Sequence, residues 1–209
     1  TVRLRPATAR PGWGGLDNRR TALLAAQAEL CRLVLPSALA IGRALLAGGR
    51  EQRSEGEQLL LDLTQRFPMD ASSDEAARLL SEPLLPDPGL LDGLPPSLQE
   101  RSAAVAAARV RLAAGRGGAE ALTRWPDDPA SWQLQWDLAR EALLDGAWYD
   151  ARSWLTALPD GTMPEPLEGR RLFWHGLAEQ RLGNPDAAAG IWRQLIDGQR
   201  SGYYRWRAR

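Results

Sequence analysis

Apolar residues recur along this chain three and four positions apart, the spacing of one helix face, and each run stops at Gly or Pro. Leu59 to Leu63, Ala119 to Leu122, Ala151 to Leu155 and Ala187 to Leu195 carry the pattern most plainly, and each follows a glycine stop, at Gly48-Gly49, Gly115, Gly146 or Gly183. Phe67-Pro68, Trp125-Pro126 and Leu158-Pro159 close the first three. The order predicts helix, glycine turn, second helix, proline break, repeated along the chain. No run of four to eight residues alternates β-branched and polar positions, so no strand is expected.

Gly146 and Gly183 lie 37 residues apart, close to the ~34-residue tetratricopeptide period, while the earlier stops are irregular. A single hairpin cannot bury its apolar face, so hairpins must stack. The expected fold is all-α, a right-handed α-solenoid or superhelix of tetratricopeptide-like hairpins with about ten to twelve helices. Residues 1–16, with Pro6, Pro11 and three glycines, read as an irregular lead-in, and 17–82 as N-terminal hairpins. Residues 83–96, with five prolines, read as a loop or short helical turn joining them to C-terminal repeats over 97–209. Ser97-x-x-Glu100 reads as a capping box opening one helix to Ala114, and Asp127-Asp128-Pro129 as an acidic start for the helix carrying Trp132, Trp136 and Leu138.

Formal net charge is zero, which removes the long-range field that draws proteins to nucleic acid or anionic lipid. No nucleic-acid partner is expected. All 26 basic side chains are Arg, a bias that fits coding composition better than 26 separate needs for guanidinium chemistry. Cys31 is the single cysteine, so neither an internal disulfide nor a Cys-ligated metal is expected. No apolar run reaches the ~18 residues of a membrane span, so no membrane insertion is expected, and the opening Thr-Val-Arg-Leu-Arg-Pro does not read as a signal peptide.

Catalytic chemistry is sparse. His175 and Glu179 share a helix face, but one His and a distant Cys make packing or solvation the better reading than a metal site. Glu165, Glu168, Asp127 and Asp128 sit beside predicted helix starts, where capping and solvation explain them better than acid catalysis, which needs an apolar cleft. Arg116-Gly117-Gly118 and Gly12-Trp13-Gly14-Gly15 read as turns, with no strand-loop-helix unit to make them phosphate cradles. No cofactor, metal or catalytic residue is expected. Eight of the nine Trp fall from Trp125 onward, and about six of these are expected to be mainly core, any left on the concave face being candidates for glycan or peptide contact.

Trp174, Leu177 and Ala178 precede the Leu182-Gly183 stop; Asn184, Pro185 and Asp186 restart a helix carrying Ala187, Ala188, Ile191, Trp192 and Leu195; Tyr203, Tyr204, Trp206 and Ala208 follow. This last third resembles the superhelical region of soluble lytic transglycosylases, whose helical hairpins end in a Tyr-rich helix leading toward a lysozyme-like catalytic domain. The resemblance implies a periplasmic or envelope location, a peptidoglycan substrate for the parent enzyme, and a positioning role for this region. The family's catalytic Glu-Ser and the Gly-Leu-Met-Gln-like motif after it have no counterpart here; Arg53-Ser54-Glu55-Gly56-Glu57 has the wrong order. The binding candidates are Tyr203, Tyr204, Trp206 and Arg207. The alternative partner is a protein or peptide, bound by a free-standing tetratricopeptide-like interaction module.

Overall fold

The computed structural model describes residues 34–82, 86–198 and 202–208. The expected lead-in, Cys31 and the glycines around Trp13 lie outside the described residues. Within them the chain is all-helical, with twelve helices and no strand. These are α1 (34–46), α2 (Arg50–Arg66), α3 (Ala71–Ser81), α4 (Pro88–Asp92), α5 (Pro96–Arg101), α6 (Ala103–Leu112), α7 (Gly118–Arg124), α8 (Pro129–Leu144), α9 (Trp148–Leu155), α10 (Glu165–Arg181), α11 (Pro185–Gly198) and α12 (Tyr203–Arg207).

Two junctions use the same residue types for the same purpose. Phe67 and Trp125 end α2 and α7 with nearly identical backbones, φ −131°, ψ 54° and φ −132°, ψ 63°, each followed by a proline that cannot continue the helix. Three residues later the Asp70 and Asp128 N–H groups donate back to the Phe67 and Trp125 carbonyls. Their carboxylates then cap α3 and α8, accepting from the Ser72 N–H at 2.7 Å and the Ala130 N–H at 2.8 Å. A buried serine, Ser73 or Ser131, follows each cap by one turn.

Two of the glycine stops are Schellman turns. Gly146 and Gly183 take φ +70° and +82°, and the next N–H reaches back to the Ala142 or Glu179 carbonyl at 2.9 Å. At the end of α6 the same position falls on Ala114, φ +51°, one residue before the expected Gly115. Left-handed backbone costs an alanine about 1–2 kcal/mol, partly offset by the greater freedom glycine loses on folding. Ala114→Gly is therefore expected to raise stability by about 0.5–1 kcal/mol, and Gly146→Ala to lower it by a similar amount, as read by urea unfolding.

One expected helix is two. The stretch from Ser97 to Ala114 breaks at Ser102 (φ −95°, ψ 115°), whose hydroxyl caps α6 through the Val105 N–H. Ser97 is inside α5, after the Pro95 cap, so it does not form a capping box. Arg101, at the break, is tied instead to the Pro68 carbonyl at 2.6 Å and to Asp74 at 2.8 Å. The proline-rich stretch contributes to the core: Leu91, Leu94 and Leu98 are buried with Leu60, Leu80 and Val105 in a first apolar cluster. A second cluster joins Ala107, Val110, Leu122, Leu134 and Leu158, so α6 is the wall common to both.

Helix contacts follow a simple rule. α3, α6, α8, α10 and α12 touch one another in that order, while α4, α7, α9 and α11 each bridge two members of the row.

Candidate ligand-binding face

The row of α3, α6, α8, α10 and α12 carries linked polar and aromatic side chains along its length. Between α3, α6 and α8 lies a groove of about 330 Å³, lined by Arg78, Ser81, Ala104, Arg111 and Gln133 among others. Arg78 is held there by Glu75 and Glu82. Arg111 continues the face, its Nε donating to Asp137 at 3.0 Å, and Gln133 donates to the other Asp137 oxygen at 2.7 Å. This pair is well covered, at 13% and 15% exposure, so its two charges largely cancel.

Beyond Asp137 the face turns aromatic. Arg170, one helix on, places its guanidinium 4.3 Å from the centre of the Trp136 ring. Trp136 meets Trp174 at 6.2 Å, Phe173 meets Trp174 edge to face at 5.6 Å, and Phe173 meets Tyr204 at 5.6 Å. Tyr203 and Trp206 complete the run beside Tyr204 and are 63% and 69% exposed. Burial pushes the Arg170 guanidinium below its ordinary value, against the opposing pull of Tyr204 and Asp137. The Trp174 indole N–H is buried with no acceptor among the described residues, at a cost of about 1–3 kcal/mol.

Of the residues picked from the sequence, Tyr204 is half-buried against Phe173, while Tyr203, Trp206 and Arg207 are exposed on α12. Arg170, Trp136 and Trp174 were not among them. Trp136 and Arg170 are 34 positions apart, one repeat length, so an aromatic followed one period later by Arg was the available signal. The expectation of mainly core tryptophans needs correction. None of the eight from Trp125 onward is fully buried; seven are half-buried and Trp206 is exposed. Trp132 and Trp154 pack on the second cluster, whereas Trp125, Trp136 and Trp148 each carry an arginine over the ring. Trp rings are too broad for shallow two-layer packing to cover, and arginine stems cover the remainder.

The carboxylates divide. Asp128 is the expected helix cap, and Asp127 is exposed. Glu168 is neither capping nor solvated: it is 16% exposed and pairs with Arg171. Gly117, at φ +80°, forms the turn into α7. A second concavity of about 460 Å³, lined by Glu141, Asp145, Asp150 and Arg116, has all four charged groups exposed to solvent. Among the described residues no group of three or more His, Cys, Asp or Glu is placed to hold a metal ion, and no helix is long and apolar enough to cross a membrane.

His175 is half-buried between Glu179, 3.6 Å away, and the arginines 152 and 171. Burial lowers its pKa, the two arginines lower it further, and Glu179 opposes them. The folded state thus disfavours the proton. As pH falls through ~6.5 the unfolded chain protonates first and stability is lost, until the folded His also titrates. The wild type is expected to lose up to about 1.4 kcal/mol per pH unit more than His175→Gln in that window, measured by urea midpoints at pH 5 to 7.5.

No family model, curated protein or solved structure matches this chain.

Proposed function

We propose that this chain is a non-catalytic helical-repeat scaffold, a right-handed superhelix of tetratricopeptide-like hairpins that holds an extended ligand along the row from α3 to α12. The alternating contact order supports the superhelix: each bridging helix packs between two row members, as hairpins do when they stack. The observation that carries the binding role is the half-buried Arg170 over Trp136, at the head of an aromatic run that ends in the exposed Tyr203 and Trp206. Such a face combines apolar area with fixed donors, the composition of a recognition surface.

The resemblance of the last third to lytic transglycosylase superhelices supports a cell-wall setting. In this reading the module sits in the periplasm or envelope and positions peptidoglycan for a catalytic domain of the parent enzyme. Exposed Tyr203 and Trp206 offer rings on which sugars stack. The test is cosedimentation of the chain with purified cell-wall sacculi. Binding that weakens in the Tyr203→Ala, Trp206→Ala double variant supports the reading, absence of binding removes it, and glycan cleavage by the isolated chain overturns the non-catalytic role.

A second reading, a tetratricopeptide-like protein-interaction module, is favoured by one observation. Arg170 covers Trp136, so that ring face does not serve as a sugar platform.

A further inference from the structure

We infer that Arg170, seated on Trp136 in the face shared by α8, α10 and α12, is a subsite for a peptide carboxylate. The inference rests on the scaffold reading above and names what that face recognises.

Arg170 is a surplus charge. Asp137, the carboxylate that most affects it, has one oxygen taken by Arg111 and the other by Gln133. Among the described residues no carboxylate lies within ion-pair distance of Arg170, in contrast to Arg78 and Arg111 along the row and to Arg171 next in sequence. Its contact is with the Trp136 ring, which has no lone pair and leaves the planar fork of N–H donors unused. A guanidinium that is partly stripped of water and has no anion is disposed to accept one, because a carboxylate restores hydrogen bonds in the bidentate geometry the fork prefers.

The surroundings select the class of anion. A neutral glycan offers hydroxyls and no charge. A nucleic acid presents a row of phosphates, whereas Arg170 stands beside a neutralised pair, in a chain of zero net charge. A peptide supplies a single carboxylate together with an apolar side chain, and Phe173, Trp174 and Tyr204 form an apolar wall next to Arg170.

The test uses the full chain, uniformly ¹⁵N-labelled, with the Trp136 indole signal assigned by loss in Trp136→Phe. Four probes are titrated: acetyl-Ala-Ala with a free carboxylate and with a terminal amide, each in the L and D configuration. The free acids are expected to shift the Trp136 indole signal and the amides to shift it at least about tenfold more weakly. Arg170→Gln is expected to weaken binding of the acid about tenfold or more, and Arg170→Lys, which keeps the charge without the fork, by less. Far-UV circular dichroism and the dispersion of the other indole signals establish that each variant is folded. Tighter binding of the D acid assigns the carboxylate to a cell-wall peptide and of the L acid to a protein; both support the subsite. Equal shifts by acid and amide overturn it and leave the scaffold reading intact. Wild-type affinity in folded Arg170→Gln also overturns it. No shift with any probe overturns the subsite and counts against the face as a peptide groove.

Discussion

Arg171→Ala is expected to lower folding stability by about 3–5 kcal/mol, read as the guanidinium chloride unfolding midpoint by circular dichroism. Arg171 is 4% exposed, yet it is an ion. Its Nε donates to Glu168 at 2.9 Å and its Nη2 to the other Glu168 oxygen at 2.5 Å, a bidentate pair along one turn of α10. Nη2 also meets Asp160, and Nη1 donates to the Leu155 carbonyl at 3.1 Å. That carbonyl ends α9 and also accepts from Gln135 of α8, so the residue fastens three helices at one point. Burial opposes its charge, but the bonds to Glu168 and the charges of Glu168 and Asp160 outweigh burial and hold its pKa above the ordinary value. Asp160 is 72% exposed and contributes little. Glu168, 16% exposed, is the group that truncation strands. The double variant Arg171→Met, Glu168→Leu removes both charges together and is expected to recover most of the loss. If the double variant is no more stable than Arg171→Ala, the cost lies in packing and the Leu155 carbonyl instead.

The features legible in the sequence are those whose cause is local. A helix stop needs one left-handed residue and a cap needs one oxygen two or three positions from its N–H, so Gly146, Gly183 and Asp128 declared themselves. Where two local signals competed, the reading failed. Ser97-x-x-Glu100 reads as a cap, but Ser102 five residues later leaves the helix to cap α6, and Arg101 anchors the break to residues 33 and 27 positions earlier. Glu168 fails for the opposite reason. Its partner is only three residues away, but that Arg171 is buried is decided by the carbonyl of α9 and by α8, which no spacing on α10 records. The face was half legible for a related reason. Tyr203, Tyr204 and Trp206 are adjacent in sequence, whereas Arg170 meets Trp136 only because α8 and α10 stack one repeat apart.

Gly176→Val is expected to cost about 3 kcal/mol, as overpacking against a ring that cannot yield. α10 and α11 cross at Gly176, where an added Cβ would lie 2.7 Å from both Cδ1 and Cε2 of Trp192. The ring is pinned, because its Nε1 donates to the Phe173 carbonyl at 3.2 Å. Relief requires either breaking that bond or moving α11 away from α10, and the second exposes Ala188 and Leu195. Gly190, on the facing helix, has open space at its Cβ, so Gly190→Ala is expected to raise stability by about 0.5–1 kcal/mol through helix propensity alone. Urea midpoints of the two variants, measured together, separate close packing from backbone freedom. Equal small effects would show that Trp192 relaxes. The strain also has a direction. The Phe173 carbonyl accepts from Trp192 and its ring meets Trp174 and Tyr204, so a shift at Gly176 reaches the aromatic face through a single residue. Gly176→Val is therefore expected to move the Trp174 indole signal as well as that of Trp192, whereas Gly190→Ala leaves the Trp174 signal in place.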